Sequence, residues 1–427
     1  MDTQQFSLGV TYWPRRRRSA EGTLNTWGEI DQGALCAELE HIADLGCTTV
    51  RLELRWADVL PGTRVNTAAL RGLERALDYA HDRGLRAVIA LLGGSLGGAL
   101  HLPPWAVGYR LPGDITQARR LGPPVMIVSA DQPAILAGDR YMREPARDLF
   151  GEPEILEAQR LVLREVIGNL GAHPAATVWQ LGADLERVRR PASARVIANW
   201  WADLVQRARD HGARACVGSV SPLNLGRRES LRPTAIASAC QVTVSATPLY
   251  SLGLGETARA ASFLHALVAG LLSAETGHPI SVTVGEVGMP TATGGASGLV
   301  SGERFGRPAS IALAEEDQQA TLIEEALASL HREGAAGVWL AHYADISPEL
   351  WHIAPADRSW WARSAGLVAP DGREKPAAAA VRTFAARLRA GKLPASAGPP
   401  TLPLDPERYW RDPATELWKL WADWQRT

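Results

Sequence analysis

Eight short apolar runs recur along this chain, most of them followed by a longer stretch with helical periodicity. That alternation constrains the fold more than any other feature. The runs cover residues 6–13, 48–56, 85–93, 176–184, 213–220, 240–250, 280–288 and 335–343. Most are too uniformly apolar to alternate between a buried and a wet face, as parallel strands covered on both faces do. Between them, residues 34–46, 66–84, 154–174, 194–212 and 315–334 space apolar side chains three and four apart. Asn66 offers an N-cap to one of these segments, and glycines such as Gly46 and Gly84 close them. Strands alternating with helices eight times predict a (β/α)8 TIM barrel of the α/β class. A doubly wound open sheet is the competing fold, but no G-x-G-x-x-G follows the first strand.

Two stretches fall outside the repeat. Residues 94–150 form a long insertion after the third strand, opening with GGSLGG and containing HLPPWAVGY. Loops of this length within a domain are usually functional. In a barrel this one belongs on the C-terminal face, where active sites are built. The barrel then spans 1–392. Residues 393–427 form a proline-rich linker and a C-terminal helix, with Trp418, Trp421 and Trp424 on a face that docks against the barrel.

Composition narrows the partners. A net charge of -1 over 427 residues gives no polyanion-binding character, so neither nucleic acid nor a membrane surface is expected. The most apolar helical stretch, ASFLHALVAGLLSA, is shorter than a membrane span. No basic-then-apolar leader opens the chain, and the reading is cytoplasmic. Cys36, Cys47, Cys216 and Cys240 match no zinc or redox spacing and read as reduced. No His, Asp or Glu group has metal-ligand spacing, so neither metal nor cofactor is expected. Fifteen tryptophans are many, and an indole face suits the C–H face of a pyranose as well as it suits a core.

The chemistry lies at the strand ends. In a barrel these converge on one pocket. Glu286 closes the seventh run and Asp184 the fourth, so two carboxyls face each other across the mouth. Glycosidases work with such a pair, one carboxyl ionised and the other protonated.

Several motifs, in order, resemble those of the clan A glycoside hydrolases, the superfamily of cellulase-, mannanase- and β-galactosidase-type barrels. GVTYWP (9–14) resembles the opening strand of the β-galactosidase-like members. GCTTVRLELRWADVLPG (46–62) resembles the clan segment G-x-N-x-V-R-x-x-x-x-W…P…G. PPWAV (103–107), VGEVG (284–288) and AGLVAPDGREKPA (365–377) resemble the loop after strand three, the nucleophile strand and the closing segment. The resemblance covers about 6–390. It implies that Glu286 is the nucleophile and that Arg51 and Tyr250 support it. It further implies that Trp56 is a strand-end aromatic and that Trp339 floors the subsite beside the scissile bond.

The chain departs from the pattern at strand four. Where the clan reads W-Q-x-x-N-E, this sequence reads Trp179-Gln180-Leu181-Gly182-Ala183-Asp184. Alanine cannot bond the sugar 2-hydroxyl, an interaction that strengthens in the transition state. Aspartate sets the carboxyl back by one C–C bond, roughly 1.5 Å, and a misplacement of about 1 Å can cost on the order of a hundredfold in rate. Three readings follow. Asp184 is the acid/base. Glu186, two residues on along an extended strand, is the acid instead. Or the site binds carbohydrate without cleaving it.

Other side chains join the candidates. Glu53 and Arg55 share the parity of Arg51, so strand two can aim three charges inward. Trp13, Trp105 and Trp351 are stacking or packing residues, and His342 lies near the end of strand eight. Arg15–Arg18 follow the first strand as a basic run on the same face. The expectation is a retaining hydrolase of β-linked O-glycosides, with a carbohydrate-binding pseudo-hydrolase as the alternative.

Overall fold

The computed structural model describes residues 6–14, 27–108, 132–246, 258–293 and 297–426. Eight parallel strands close a barrel: β1 (Ser7–Tyr12), β2 (Thr49–Arg55), β3 (Arg86–Gly93), β4 (Ala176–Leu181), β5 (Cys216–Val220), β6 (Gln241–Ser245), β7 (Val282–Val287) and β8 (Gly337–Leu340). Their order around the barrel is β1-β8-β7-β6-β5-β4-β3-β2. Each lies within one of the eight apolar runs.

Short one-turn helices aside, a helix follows each strand: α1 (Gln32–Asp44), α2 (Thr67–Asp82), α3 (Pro153–Leu170), α4 (Ala194–Asp210), α5 (Pro233–Ala237), α6 (Ala258–Thr276), α7 (Glu316–Arg332) and α8 (Pro376–Arg389). The Asn66 side chain accepts from the N–H groups of Ala68 and Ala69 at 3.1 and 3.4 Å, capping α2. Such a cap contributes about 1 kcal/mol. Just past the end of α2, Gly84 takes φ 67°, where an L side chain would be strained. The helix α6 is buried almost all round. The tail covers its outer side: Phe263 meets Trp421 at 5.2 Å and Trp424 at 6.0 Å between ring centroids. A helix that is apolar all round needs such a second cover. Trp418 remains 42% exposed, so the three tail tryptophans do not share one buried face. No helix among the described residues is long and apolar enough to cross a membrane.

The barrel interior is layered. Low in it, Trp339 packs with Val88, Val178 and Val217, and its indole N–H donates to Ser7 Oγ at 3.2 Å. A Cβ on Gly9 would come within 2.8 Å of that indole, so the small residue in GVTYWP makes room for the plug. Toward the C-terminal end the interior turns polar, with buried Thr11, Arg51, Glu53, Gln180, Thr243 and Ser245. A polar layer over an apolar plug sets the chemistry at the mouth.

Candidate active site

The polar layer opens into a pocket lined by Thr11, Arg51, Glu53, Glu286 and His342, with Ser95–Gly98, Phe305 and Trp361 around and above them. Its free volume is about 20 Å³, room for about one water. The roof has two sources. Ser95–Gly98 come from the segment that directly follows β3. Phe305 sits at the turn of the antiparallel hairpin Gly298–Arg304 and Arg307–Leu313, which follows β7.

Glu286 sits near the end of β7 with φ 58°, a left-handed backbone that costs a glutamate of order 1–3 kcal/mol. Its side chain is 24% exposed, the most open of the carboxyls here. Oε1 lies 3.7 Å from Nη1 of Arg51, and Oε2 accepts from Ser245 Oγ. The pairing of β6 with β7 explains the second contact, since Ser245 is in register with Gly285. Arg51 is itself held by Gln180 Oε1, which accepts from Nε at 2.5 Å, and by Thr11 Oγ1 at 3.4 Å. Its Nη2 pairs with Glu53. Burial pushes the Glu53 carboxyl up to about 7. Arg51 opposes that rise, and the negative charges of Glu286 and Asp184 add to it.

The end of β4 is built differently. The strand stops at Leu181, and Gly182 (φ 61°) and Asp184 (φ 60°) both turn left-handed. Nε of Arg187 donates to Asp184 Oδ1 at 2.8 Å, and Ser95 Oγ donates to Oδ2 at 2.6 Å. That ion pair is buried, with side chains 9% and 6% exposed. Arg187 in turn stacks its guanidinium 4.1 Å from the Phe305 ring and donates to Ser221 Oγ. Asp184 therefore sits behind the pocket wall that Ser95 provides.

Glu186 does not extend a strand. It lies on the one-turn helix Leu185–Val188, and the extended geometry that would have aimed it at the mouth is absent. Its carboxylate accepts from the Asn224 side chain and from the Leu231 N–H at 3.1 Å, and burial raises it to about 7. Arg55 likewise turns away, to Asp58 and the Gly138 carbonyl.

The aromatic candidates divide. Trp13 donates to His342 Nδ1 at 3.2 Å and packs with Leu96, Ile346 and Leu350, so it holds a pocket residue from behind. Trp56 is buried against Trp105 in an edge contact at 5.2 Å, away from the pocket, and Trp105 bonds the Leu60 carbonyl. Trp351 donates to the Ile346 carbonyl and packs on Trp360. Trp339 fills the interior below the pocket rather than flooring it. Tyr250 and Arg15–Arg18 lie outside the described residues. Sequence reasoning missed Ser95, Arg187, Ser245, Phe305 and Trp361. Glu53, the second carboxyl in the pocket lining, had no role assigned from sequence but carried a signal, its parity with Arg51.

No protein-family model matches the chain, and no curated protein is similar to it. Solved structures are similar. One is a GH5_18 from Streptomyces cattleya in complex with GlcNAc, at TM-score 0.66 and 19% identity, covering 92% of this chain and 82% of that one. A GH5_18 variant from the same organism, in complex with Manb1-4GlcNAc, gives TM-score 0.67 and 19% identity over 92% and 83%. The exo-beta-1,4-mannosidase Op5Man5 from Opitutaceae bacterium strain TAV5 gives TM-score 0.64 and 18% identity over 91% of this chain and 60% of that one. With these likenesses running over nine-tenths of its length, the chain shares the (β/α)8 barrel fold of these solved structures.

Proposed function

We propose that this protein is a retaining glycoside hydrolase acting on β-linked hexosides, with Glu286 as nucleophile. The observation that carries the reading is the state of Glu286. Its carboxylate is presented at the end of β7, steadied by Arg51 and Ser245, and open to a pocket at the face where barrel enzymes work. Left-handed backbone at a glutamate persists where the surroundings over-determine it, as active sites do. Because similar barrels were crystallised with GlcNAc and Manb1-4GlcNAc, and one is an exo-mannosidase, β-mannosides are the first substrates to try. In this mechanism a Glu286 oxygen attacks the anomeric carbon while a carboxylic acid protonates the departing oxygen, and water then releases the sugar. The test is turnover of a panel of aryl β-glycosides. Activated leaving groups need little acid assistance, so the nucleophile is read separately from the proton donor. Wild type cleaves a member of the panel and Glu286→Gln does not. Equal rates for the two would end the hydrolase reading.

A second reading is favoured by the strand-four end. Asp184 gives both oxygens to Arg187 and Ser95, and the pocket beneath Phe305 and Trp361 is too small for a pyranose unless the roof moves. A sugar-binding barrel without turnover would show saturable, sugar-dependent thermal stabilisation and no product.

A further inference from the structure

We propose that the proton donor of this site is Glu53, delivered from the second strand instead of the fourth. The inference rests on the hydrolase reading above, and three observations carry it. The first is the order of strands. Around the closed barrel, β7 is three strands from β4 in one direction and three from β2 in the other, through β8 and β1. A carboxyl on β2 therefore stands at the same angular distance from Glu286 as one on β4. The second is the pocket, which Glu53 and Glu286 both line and Asp184 does not. The third is Arg51, whose Nη2 contacts Glu53 and whose Nη1 lies 3.7 Å from Glu286. Spanning by one guanidinium keeps the two carboxyls within at most about 8.5 Å, a bound that includes the roughly 5–5.5 Å of a retaining pair.

The environment suits the role. Burial favours the protonated form of Glu53 near neutral pH, while Glu286 is the more exposed carboxyl. In the first step a Glu286 oxygen bonds to the anomeric carbon and the bond to the leaving oxygen breaks. That oxygen takes the Glu53 proton, leaving a glycosyl ester and an ionised Glu53 beside Arg51. In the second, Glu53 removes a proton from water, whose oxygen bonds to the anomeric carbon. The ester bond breaks, and both carboxyls return to their starting states.

The test compares wild type, Glu53→Gln and Asp184→Asn on dinitrophenyl and alkyl β-mannosides, with and without azide. Glu53→Gln is expected to lose about 10²–10⁴-fold on the alkyl glycoside and far less on the dinitrophenyl one. Azide, which needs no general base, restores its turnover and yields the glycosyl azide. The alkaline limb of kcat/KM that Glu53 should give wild type is expected to be absent in this variant. Asp184→Asn changes both substrates by the same factor and does not respond to azide. Leaving-group-selective loss with azide rescue in Asp184→Asn would overturn the proposal, and this arm decides alone if Glu53→Gln fails to fold. Wild-type rates for Glu53→Gln on the alkyl glycoside would overturn it as well. If wild type cleaves neither these mannosides nor the corresponding glycosides of any other sugar in the panel, the hydrolase reading itself falls, and Glu53 with it; if it cleaves another sugar's, the same comparison is made on that sugar.

Discussion

The ends of β7 and β4 begin alike and finish differently. Each places a carboxyl on left-handed backbone at the barrel mouth, with φ 58° at Glu286 and 60° at Asp184. Glu286 keeps a quarter of its side chain open and is held by the polar interior, through Arg51 and Ser245. The Asp184 side chain is only 9% exposed and is held from outside, by a guanidinium from the following turn and a hydroxyl from the segment after β3. Identical backbone strain thus marks position, not role. What a carboxyl can do depends on where its partners hold it, in the pocket lining or behind it.

The sharpest break in this comparison is kinetic. Glu286→Gln should lower kcat/KM on activated aryl glycosides by about 10⁴-fold or more, measured by initial rates. The Asp184→Asn loss should be at least tenfold smaller. Matching losses would erase the distinction between the two ends.

The next effect is on stability. Removing one partner of a buried ion pair strands the other, at a cost of about 3–5 kcal/mol. Arg187→Met should therefore destabilise the protein by about that amount in urea unfolding, because it leaves Asp184 uncompensated. A change below about 1 kcal/mol would mean that the pair is not what fixes this end.

A pH series sharpens the contrast further. Burial raises Glu53 from 4.5 to about 7, so the folded state holds the proton more tightly than the unfolded chain. That contribution is fully present below about pH 4.5 and is lost as pH rises through about 7, with a slope of at most about 1.4 kcal/mol per pH unit. Glu186 acts with the same sign. His101, pushed down to about 3 chiefly by burial and next by Arg55, acts with the opposite one. The difference between wild type and Glu53→Gln across pH 4.5–7 isolates the Glu53 contribution, and a flat difference curve would contradict its burial. The smallest effect belongs to the roof. Phe305→Ala should lower KM a few-fold, by removing a closure that substrate must otherwise undo. A raised KM would make Phe305 a sugar contact.

Much of the barrel was legible because parallel strands buried on both faces must be apolar, and the helices between them must show a stripe. Glu286 was legible for the same reason, as a lone acid ending an apolar run. The strand-four end was not. Gly182 and Asp184 leave the strand in left-handed steps, so the two-residue alternation that pointed to Glu186 had no strand to run on. Ser245, which joins Arg51 in holding Glu286, was hidden in strand register, which pairs Ser245 with Gly285 across 40 positions of sequence. Trp339 lies in the interior because Gly9, on the neighbouring strand, leaves space for its ring. The roof hairpin has no pocket-facing signature of its own, and its role follows only from where its turn lands.

The most direct test of the account is covalent trapping. An activated fluoro-β-mannoside, incubated with the wild-type protein and followed by intact mass and peptide mapping, should leave one glycosyl ester, located on Glu286. An ester on Asp184 or any other residue, or turnover of the aryl glycosides with no trapped species, would contradict it.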